Sequence, residues 1–173
     1  MDNFLPQDYE IPATPSNYTK FEDGETVKFR ILPSGMDNDC IVFYEYFDKS
    51  QWENGKPIRS KKPFDSTPWI ENGRKQQEKW AFKVWNYNLW QVQICNISQK
   101  GLKQSIMWYI KDEDYWDPLS YDIKISRTWK GLETEYSITP TPPKEFDESL
   151  LKDNDKKIDW VAYLNSEEPF ITE

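Results

Sequence analysis

The chain has 173 residues, with 30 acidic and 22 basic side chains, two cysteines and no histidine. This length suits one domain. Without histidine or a C-x-x-C pair we expect no metal and no cofactor, and without an 18-residue apolar run or a signal peptide we expect a cytoplasmic protein with no membrane association.

The first strands are predicted after an extended N-terminal arm, residues 1–25, in which Pro, Asp and Asn occur among scattered aromatic residues. "TVKFRILP" (26–33) alternates apolar and basic residues, and "CIVFYEYF" (40–47) has high β-propensity, so each predicts a strand. Which face of the second strand points outward is open, so Tyr44 and Tyr46 suit either a core or a surface. The following polar stretch contains Asn54-Gly55 and predicts a protruding, cationic β-ribbon.

The segment "EKWAFKVWNYNLWQVQICN" (78–96) predicts a β-hairpin rich in aromatic residues. Its two apolar sets, which begin at Trp80 and at Trp90, share one sheet face only if the connecting loop has an odd number of residues. We therefore predict a three-residue loop, 87–89, whose central residue is left-handed. In that register the outer face carries Lys79, Lys83 and Trp85.

One helix and a second hairpin complete the predicted fold. "SQKGLKQSIMWYIK" (98–111) can be capped by Ser98, and its apolar stripe comprises Leu102, Ile106, Tyr109 and Ile110. "YDIKISRTW" and "LETEYSITP" predict the two strands of the second hairpin. A single helix at this point favours a mainly β OB-fold, a five-stranded barrel with its helix between strands 3 and 4. The predicted domains are the arm 1–25, the OB-fold domain 26–143 with its added ribbon, and an acidic C-terminal segment 144–173.

Charge is strongly segregated along the chain. Residues 56–111 hold eleven Lys and Arg against three acids, whereas residues 1–55 and 131–173 each hold four against eleven. A basic centre between acidic ends is typical of a polyanion-binding domain with a competing acidic tail. The alternative is that the lysines only solvate one face of a sheet.

Single-stranded nucleic acid requires cations that follow its phosphates and exposed rings on which its bases stack. Trp52, in a polar loop, is the best single stacking candidate, whereas Trp80 and Phe82 favour the core. The candidate nucleic-acid-binding residues are Tyr44, Tyr46, Trp52, Lys56, Arg59, Lys61, Lys62, Lys79, Lys83, Trp85 and Tyr87. No glycine-rich phosphate loop, nucleophile elbow or metalloprotease motif occurs, so we expect a binding protein rather than an enzyme.

Five segments carry a family resemblance: "NYTKFEDGETVKFRIL", "GKPIRSKKPF", "KWAFKVWNYN", "ICNISQKGLKQSI" and "YDIKISRTWKGLETEYSITPTPPK". From about residue 17 to residue 144 the chain resembles the single-stranded DNA-binding (helix-destabilising) proteins of tailed bacteriophages. The resemblance implies an OB-type core and sequence-independent binding of single-stranded DNA during replication and recombination, in the host cytoplasm. The matched motifs carry Arg59, Lys61, Lys79, Trp80, Phe82, Trp85, Lys100 and Arg127.

The resemblance also implies an acidic tail that binds replication and recombination proteins, and a homo-oligomer is open. The residues expected to bind such partners are Glu167, Glu168 and Phe170. Two features depart from the family. A zinc finger, present in some relatives, cannot be built without histidine, and the chain ends "EEPFITE" rather than on an acidic residue followed by Phe. The rival predictions are a single-stranded RNA-binding protein, a carbohydrate-binding β-domain and a virion structural protein.

Overall fold

The computed structural model describes residues 16–47, 56–65, 76–130 and 132–171. The candidate Trp52 and the Asn54-Gly55 turn therefore lie outside the described residues. The strands are β1 (Thr26–Ile31), β2 (Ile41–Tyr46), β3 (Ile58–Ser60), β4 (Gln77–Asn86), β5 (Gln91–Ile97), β6 (Asp122–Lys130), β7 (Glu133–Pro140), β8 (Lys157–Ile158) and β9 (Phe170–Ile171). The helices are α1 (Lys100–Ile110) and α2 (Trp160–Leu164), with 3-10 turns at Pro118–Ser120 and Glu148–Leu151.

Strand β4 is the centre of a seven-stranded antiparallel sheet. Along one edge, the first half of β4 pairs with β2 and its last residues pair with β1. The other edge of β4 pairs with β5. Beyond these, β2 pairs with β3, and β1 continues to β6 and β7. The prediction of a mainly β fold is confirmed. The closed five-stranded barrel is not formed, because no pairing among the described residues joins β3 to β7.

The β4–β5 hairpin has a register that differs from the predicted one. Trp85 pairs with Val92, so the loop consists of the four residues 87–90 and the predicted odd loop is wrong. The left-handed residue is Trp90, with φ 58°, rather than the central loop residue. The Asn86 side chain accepts two backbone N–H groups of the loop, at 2.9 and 3.3 Å, and these bonds stabilise the four-residue turn.

One face of the sheet, which we call the helix face, packs against α1. Leu102 and Ile106 are the buried residues of α1, as its periodicity predicts, but Ile110 is 42 % exposed. The helix lies between β5 and β6, after five strands rather than three. Its N-cap is Gln99, which makes no side-chain capping bond, so the predicted cap at Ser98 is wrong.

The opposite face, which we call the C-terminal face, is covered in its central part by residues 144–171. Trp160, Tyr163 and Phe170 pack on the buried β2, β4 and β5 side chains Ile41, Phe43, Ala81 and Ile94. A second cluster places Phe146, Leu150 and Leu151 against the buried Leu32, Trp85 and Val92. The hairpin is therefore buried on both faces, although the sequence analysis assigns its second face to solvent.

The described part of the predicted arm also lies against the sheet. Asn17 and Thr19 exchange backbone hydrogen bonds with Ile94, both at 3.0 Å, and Tyr18 forms a parallel bridge to the same residue. The buried Gln93 side chain bonds to the Ser16 carbonyl at 2.6 Å. These contacts cover part of the outer edge of β5. Across the described ranges, no helix combines the length and the apolar character that membrane crossing requires.

Candidate nucleic-acid interface

A group of half-buried rings lies on the helix face where β2, β3 and β4 meet. The register places Val42 opposite Trp80, and Tyr44 between Ser60 and Glu78, so these side chains share one face. Tyr46 follows two residues later, and the Phe64 ring contacts it edge-on at 4.7 Å between centroids. We call the rings Tyr44, Tyr46, Phe64 and Trp80 the aromatic strip. All four remain partly accessible.

Two hydrogen bonds fix the position of Phe64 at the end of this strip. Its backbone N–H donates to the Gln76 carboxamide at 2.9 Å, and the Gln76 amide group donates back to the Phe64 carbonyl at 3.0 Å. Gln76 directly precedes β4, so the loop residue and the strand are held together. A ring on a loop thereby joins a surface otherwise built on strands.

Lysines flank the strip on two sides. Lys56, Lys61 and Lys62 are exposed and bracket β3. On the other side, the Lys103 ammonium lies 6.0 Å from the centroid of the Trp80 ring, but it is paired with Glu78 and only 13 % of its side chain is exposed. We call the three exposed lysines the lysine rim. Cations at the border of accessible rings are what a stacked single strand requires.

Glu78 is the acid within the strip, and its charge is paired. The Lys103 ammonium lies 3.4 Å from its carboxylate and donates to its backbone carbonyl at 2.6 Å. The Tyr44 hydroxyl contacts the other carboxylate oxygen at 3.5 Å. Glu78 therefore orients Lys103 and Tyr44, and it adds little net repulsion toward a phosphate.

Two of the predicted phosphate contacts, Arg59 and Lys79, instead form ion pairs on the C-terminal face. Both contact the buried Glu45, Arg59 through Nε at 2.8 Å and Lys79 through Nζ at 2.6 Å. The Arg59 guanidinium also lies 4.2 Å from the Tyr163 ring centroid and donates to the Tyr163 carbonyl at 2.7 Å. These cations neutralise a buried carboxylate, because an unpaired charge there would be costly. They are not available to DNA phosphates.

The outer-face prediction for the hairpin is wrong in the same way. Trp85 is fully buried, with the Trp90 ring edge-on at 5.6 Å, and its indole N–H has no hydrogen-bond partner among the described residues. Lys83 pairs with Asp155 at 2.8 Å, and only 13 % of its side chain is exposed. The four-residue loop sets a register in which Trp85 lies opposite Val92. The C-terminal segment covers both side chains. A base cannot stack on Trp85 in this structure.

Tyr87 belongs to a polar network centred on the buried Asp122. Its hydroxyl donates to Asp122 at 2.9 Å, and Arg30 Nε donates to the same oxygen at 2.8 Å. Burial together with the bond to Asp122 raises the pKa of Tyr87. Burial alone would raise the pKa of Asp122, but the bonds from Arg30 and Tyr87 and the Arg30 charge outweigh it and lower this pKa. The network joins β1, β6 and the hairpin loop, and its role is structural.

The remaining predicted residues are dispersed. Lys100 is exposed at the start of α1, whereas Arg127 is half-buried on β6 and donates to the Phe21 carbonyl at 3.0 Å. In the predicted partner-binding tail, Glu167 and Glu168 are exposed but Phe170 is buried, with 8 % of its surface accessible. Phe170 packs in the fold and does not offer its ring to a partner.

The alternation in β4 assigned Trp80 to the core, and Lys103 was not among the predicted site residues. Trp80 is a partly accessible member of the strip. Period-2 alternation cannot distinguish such a position from a fully buried one. Lys103 follows the buried Leu102 on α1, so its place on the border between helix and sheet was readable from the helical pattern once α1 was placed over β4. The contact of Phe64 with Tyr46 was not readable from the sequence, because it depends on the loop bonds to Gln76.

Comparison of the chain with protein-family models, with curated proteins and with solved structures finds no match. The described residues contain no group of three or more Cys, Asp or Glu side chains arranged to hold a metal ion.

Proposed function

We propose that the protein belongs to the class that binds single-stranded nucleic acid without sequence preference. The observation that carries the proposal is the aromatic strip bordered by the lysine rim on the helix face. Bases would stack on Tyr44, Trp80 and the Tyr46–Phe64 pair, while the lysines contact phosphates. Stacking accepts any base because every base has a flat π face, and lysines read charge alone.

More particularly, we propose a single-stranded DNA-binding protein that coats and protects DNA during phage replication and recombination. The resemblance of residues 17–144 to the helix-destabilising proteins of tailed bacteriophages supports this assignment. So does the charge pattern, since residues 56–65 hold three exposed lysines and one acid. We expect a non-catalytic protein that acts in the host cytoplasm. An OB-type ancestry, with the sheet opened around β4, is part of this proposal and is supported by the single helix between two hairpins.

The first test measures binding of a fluorescent oligo-dT at several salt concentrations. We expect tight binding of the single strand, weak competition by duplex DNA, and a linear fall of log K with log salt. Replacing Lys61 by Ala, or Lys62 by Ala, should reduce the magnitude of the slope of log K against log salt by about one, because each lysine contributes one phosphate contact. A preference for duplex, or no binding at low salt, would refute the proposal.

The second test locates the surface. Tyr44→Ala should weaken oligo-dT binding by about 1–3 kcal/mol if a base stacks on this ring. Trp129→Ala is the matched control, since Trp129 is 57 % exposed and lies on β6, with β1 and β4 between it and β2. Equal losses in both variants would show that the strip is not the interface, provided that both retain the wild-type fold by circular dichroism.

Competition experiments separate the rival functions. An oligo-U that competes better than oligo-dT would favour an RNA-binding role, in which the protein contacts the 2′-hydroxyl. A carbohydrate-binding domain would bind an oligosaccharide with little salt dependence.

Docking of replication proteins through Glu167 and Glu168 stays a prediction, which a pull-down with the double Ala variant would test.

A further inference from the structure

A pocket of about 320 Å³ lies where the aromatic strip meets α1. Its floor is apolar and includes the buried Phe82 and Ile106, and its mouth includes Trp80 together with the exposed Val42 and Ile110. This volume is at the lower end of the range for sites that enclose small molecules. The pocket is continuous with the strip because Trp80 belongs to both surfaces and Val42, which lines the pocket, lies opposite Trp80 in the β2–β4 register.

Two carboxylates also line this otherwise apolar pocket. Asp39 accepts the Ser34 backbone N–H at 3.0 Å, and Asp117 accepts the Leu119 backbone N–H at 3.1 Å, each through Oδ1. These bonds hold both side chains in place and leave Oδ2 of each able to accept a hydrogen bond from a ligand. The negative charges repel a phosphate, while the apolar walls favour a flat ring. An amino group on that ring would satisfy a carboxylate, as cytosine N4 does in protein–DNA contacts.

We propose that this pocket receives one base of the bound strand and favours a base that carries an exocyclic amino group, such as cytosine. The inference builds on the proposed function, since the strand reaches the pocket along the aromatic strip. The base leaves the stack, enters beside Trp80 and directs its amino group to Asp39 or Asp117. The protein thereby gains a modest base preference within otherwise sequence-independent binding.

Cys40 provides a chemical reporter for occupancy, because it lines the pocket and is partly accessible. The chain has one other cysteine, Cys95, which is fully buried. Burial raises the pKa of Cys40 to about 12, so its alkylation by iodoacetamide is slow enough to follow by mass spectrometry.

The experiment measures the Cys40 alkylation rate of the full chain saturated with oligo-dC, oligo-dT or an abasic oligonucleotide of equal length. We expect oligo-dC to slow alkylation several-fold, oligo-dT to slow it less, and the abasic strand to leave the rate unchanged. Equal protection by all three strands, or by oligo-dC and oligo-dT, would overturn the inference. Free deoxycytidine that protects as well as oligo-dC at the same concentration would also overturn it, because the pocket would then bind nucleosides rather than a base of the strand.

A second readout does not depend on Cys40. Ile110→Trp fills the pocket mouth from α1 and should abolish the preference of the wild type for oligo-dC over oligo-dT. Val161→Trp is the matched control, because Val161 is 64 % exposed on α2 and does not line the pocket, and it should keep the preference. If neither oligonucleotide binds the wild type, the proposed function fails; if both bind with equal affinity, the pocket inference fails alone.

Discussion

Tyr163 offers the sharpest test of whether residues 144–171 belong to the fold or form a loose acidic tail. Its ring is fully buried and meets Phe43 at 5.5 Å and Trp160 at 5.6 Å, both edge-on. The Arg59 guanidinium lies over the same ring, and the Tyr163 hydroxyl contacts Asn96 Oδ1 at 2.6 Å. Tyr163→Ala removes all of these contacts at once.

The expected cost follows from the contacts that are lost. Removing a large buried aromatic side chain destabilises a protein by about 3–5 kcal/mol. Tyr163→Phe keeps the ring and loses only the bond to Asn96, so about 1 kcal/mol is expected. Asn96 is half-exposed, and water can replace the lost hydroxyl. For a urea slope of about 2 kcal/mol per M, Tyr163→Ala should lower the unfolding midpoint by about 2 M.

The assay is urea unfolding followed by tryptophan fluorescence. Val161→Ala, on the exposed side of the same helix, is the control and should change stability by less than about 0.5 kcal/mol. A Tyr163→Ala midpoint equal to that of the wild type would refute the reasoning, since it would mean that the C-terminal segment does not pack on the sheet. In that case the acidic segment would be free to act as the tail that its composition indicates.

Two further predictions follow from the buried residues. Trp85→Ala should lower the free energy of unfolding by about 3–5 kcal/mol and leave the oligo-dT affinity of the folded fraction unchanged. A large loss of affinity at unchanged stability would mean that Trp85 contacts the bound strand. Because the folded-state pKa of Asp122 is lowered below 3.8, its stabilisation is present above about pH 4 and lost as the pH falls through the folded value. Urea midpoints between pH 5 and 2 should therefore fall more steeply for the wild type than for Asp122→Asn, and parallel slopes would contradict the network.

The strands with regular alternation were predictable because period 2 is a local property of the chain. β1 and the β6–β7 hairpin follow their patterns, and the α1 periodicity correctly assigned Leu102 and Ile106 to the core. The segregation of lysines into residues 56–111 is equally local. This segregation predicts a cationic surface beside β3, which is where the lysine rim lies.

The face of the β4–β5 hairpin was not predictable in this way. Both faces of β4 carry apolar side chains, so the apolar pattern fits two registers that differ by one residue, and a single-residue shift reverses every side chain. The Asn86 turn and the cover formed by Trp160, Tyr163 and Phe170 decide between them. The amino-acid sequence by itself determined the long strands of the main sheet, the burial of Leu102 and Ile106 on α1 and where the cations concentrate, but not the short strands β8 and β9 of the C-terminal segment. Only the tertiary structure decided which cations are neutralised and which rings stay accessible. The pairing of β2 with β3 and β4 brings Arg59 and Lys79 to Glu45, whereas the neutralisation of Lys83 by Asp155 and the burial of Trp85 depend on a segment more than sixty residues further along the chain packing over one face of the sheet.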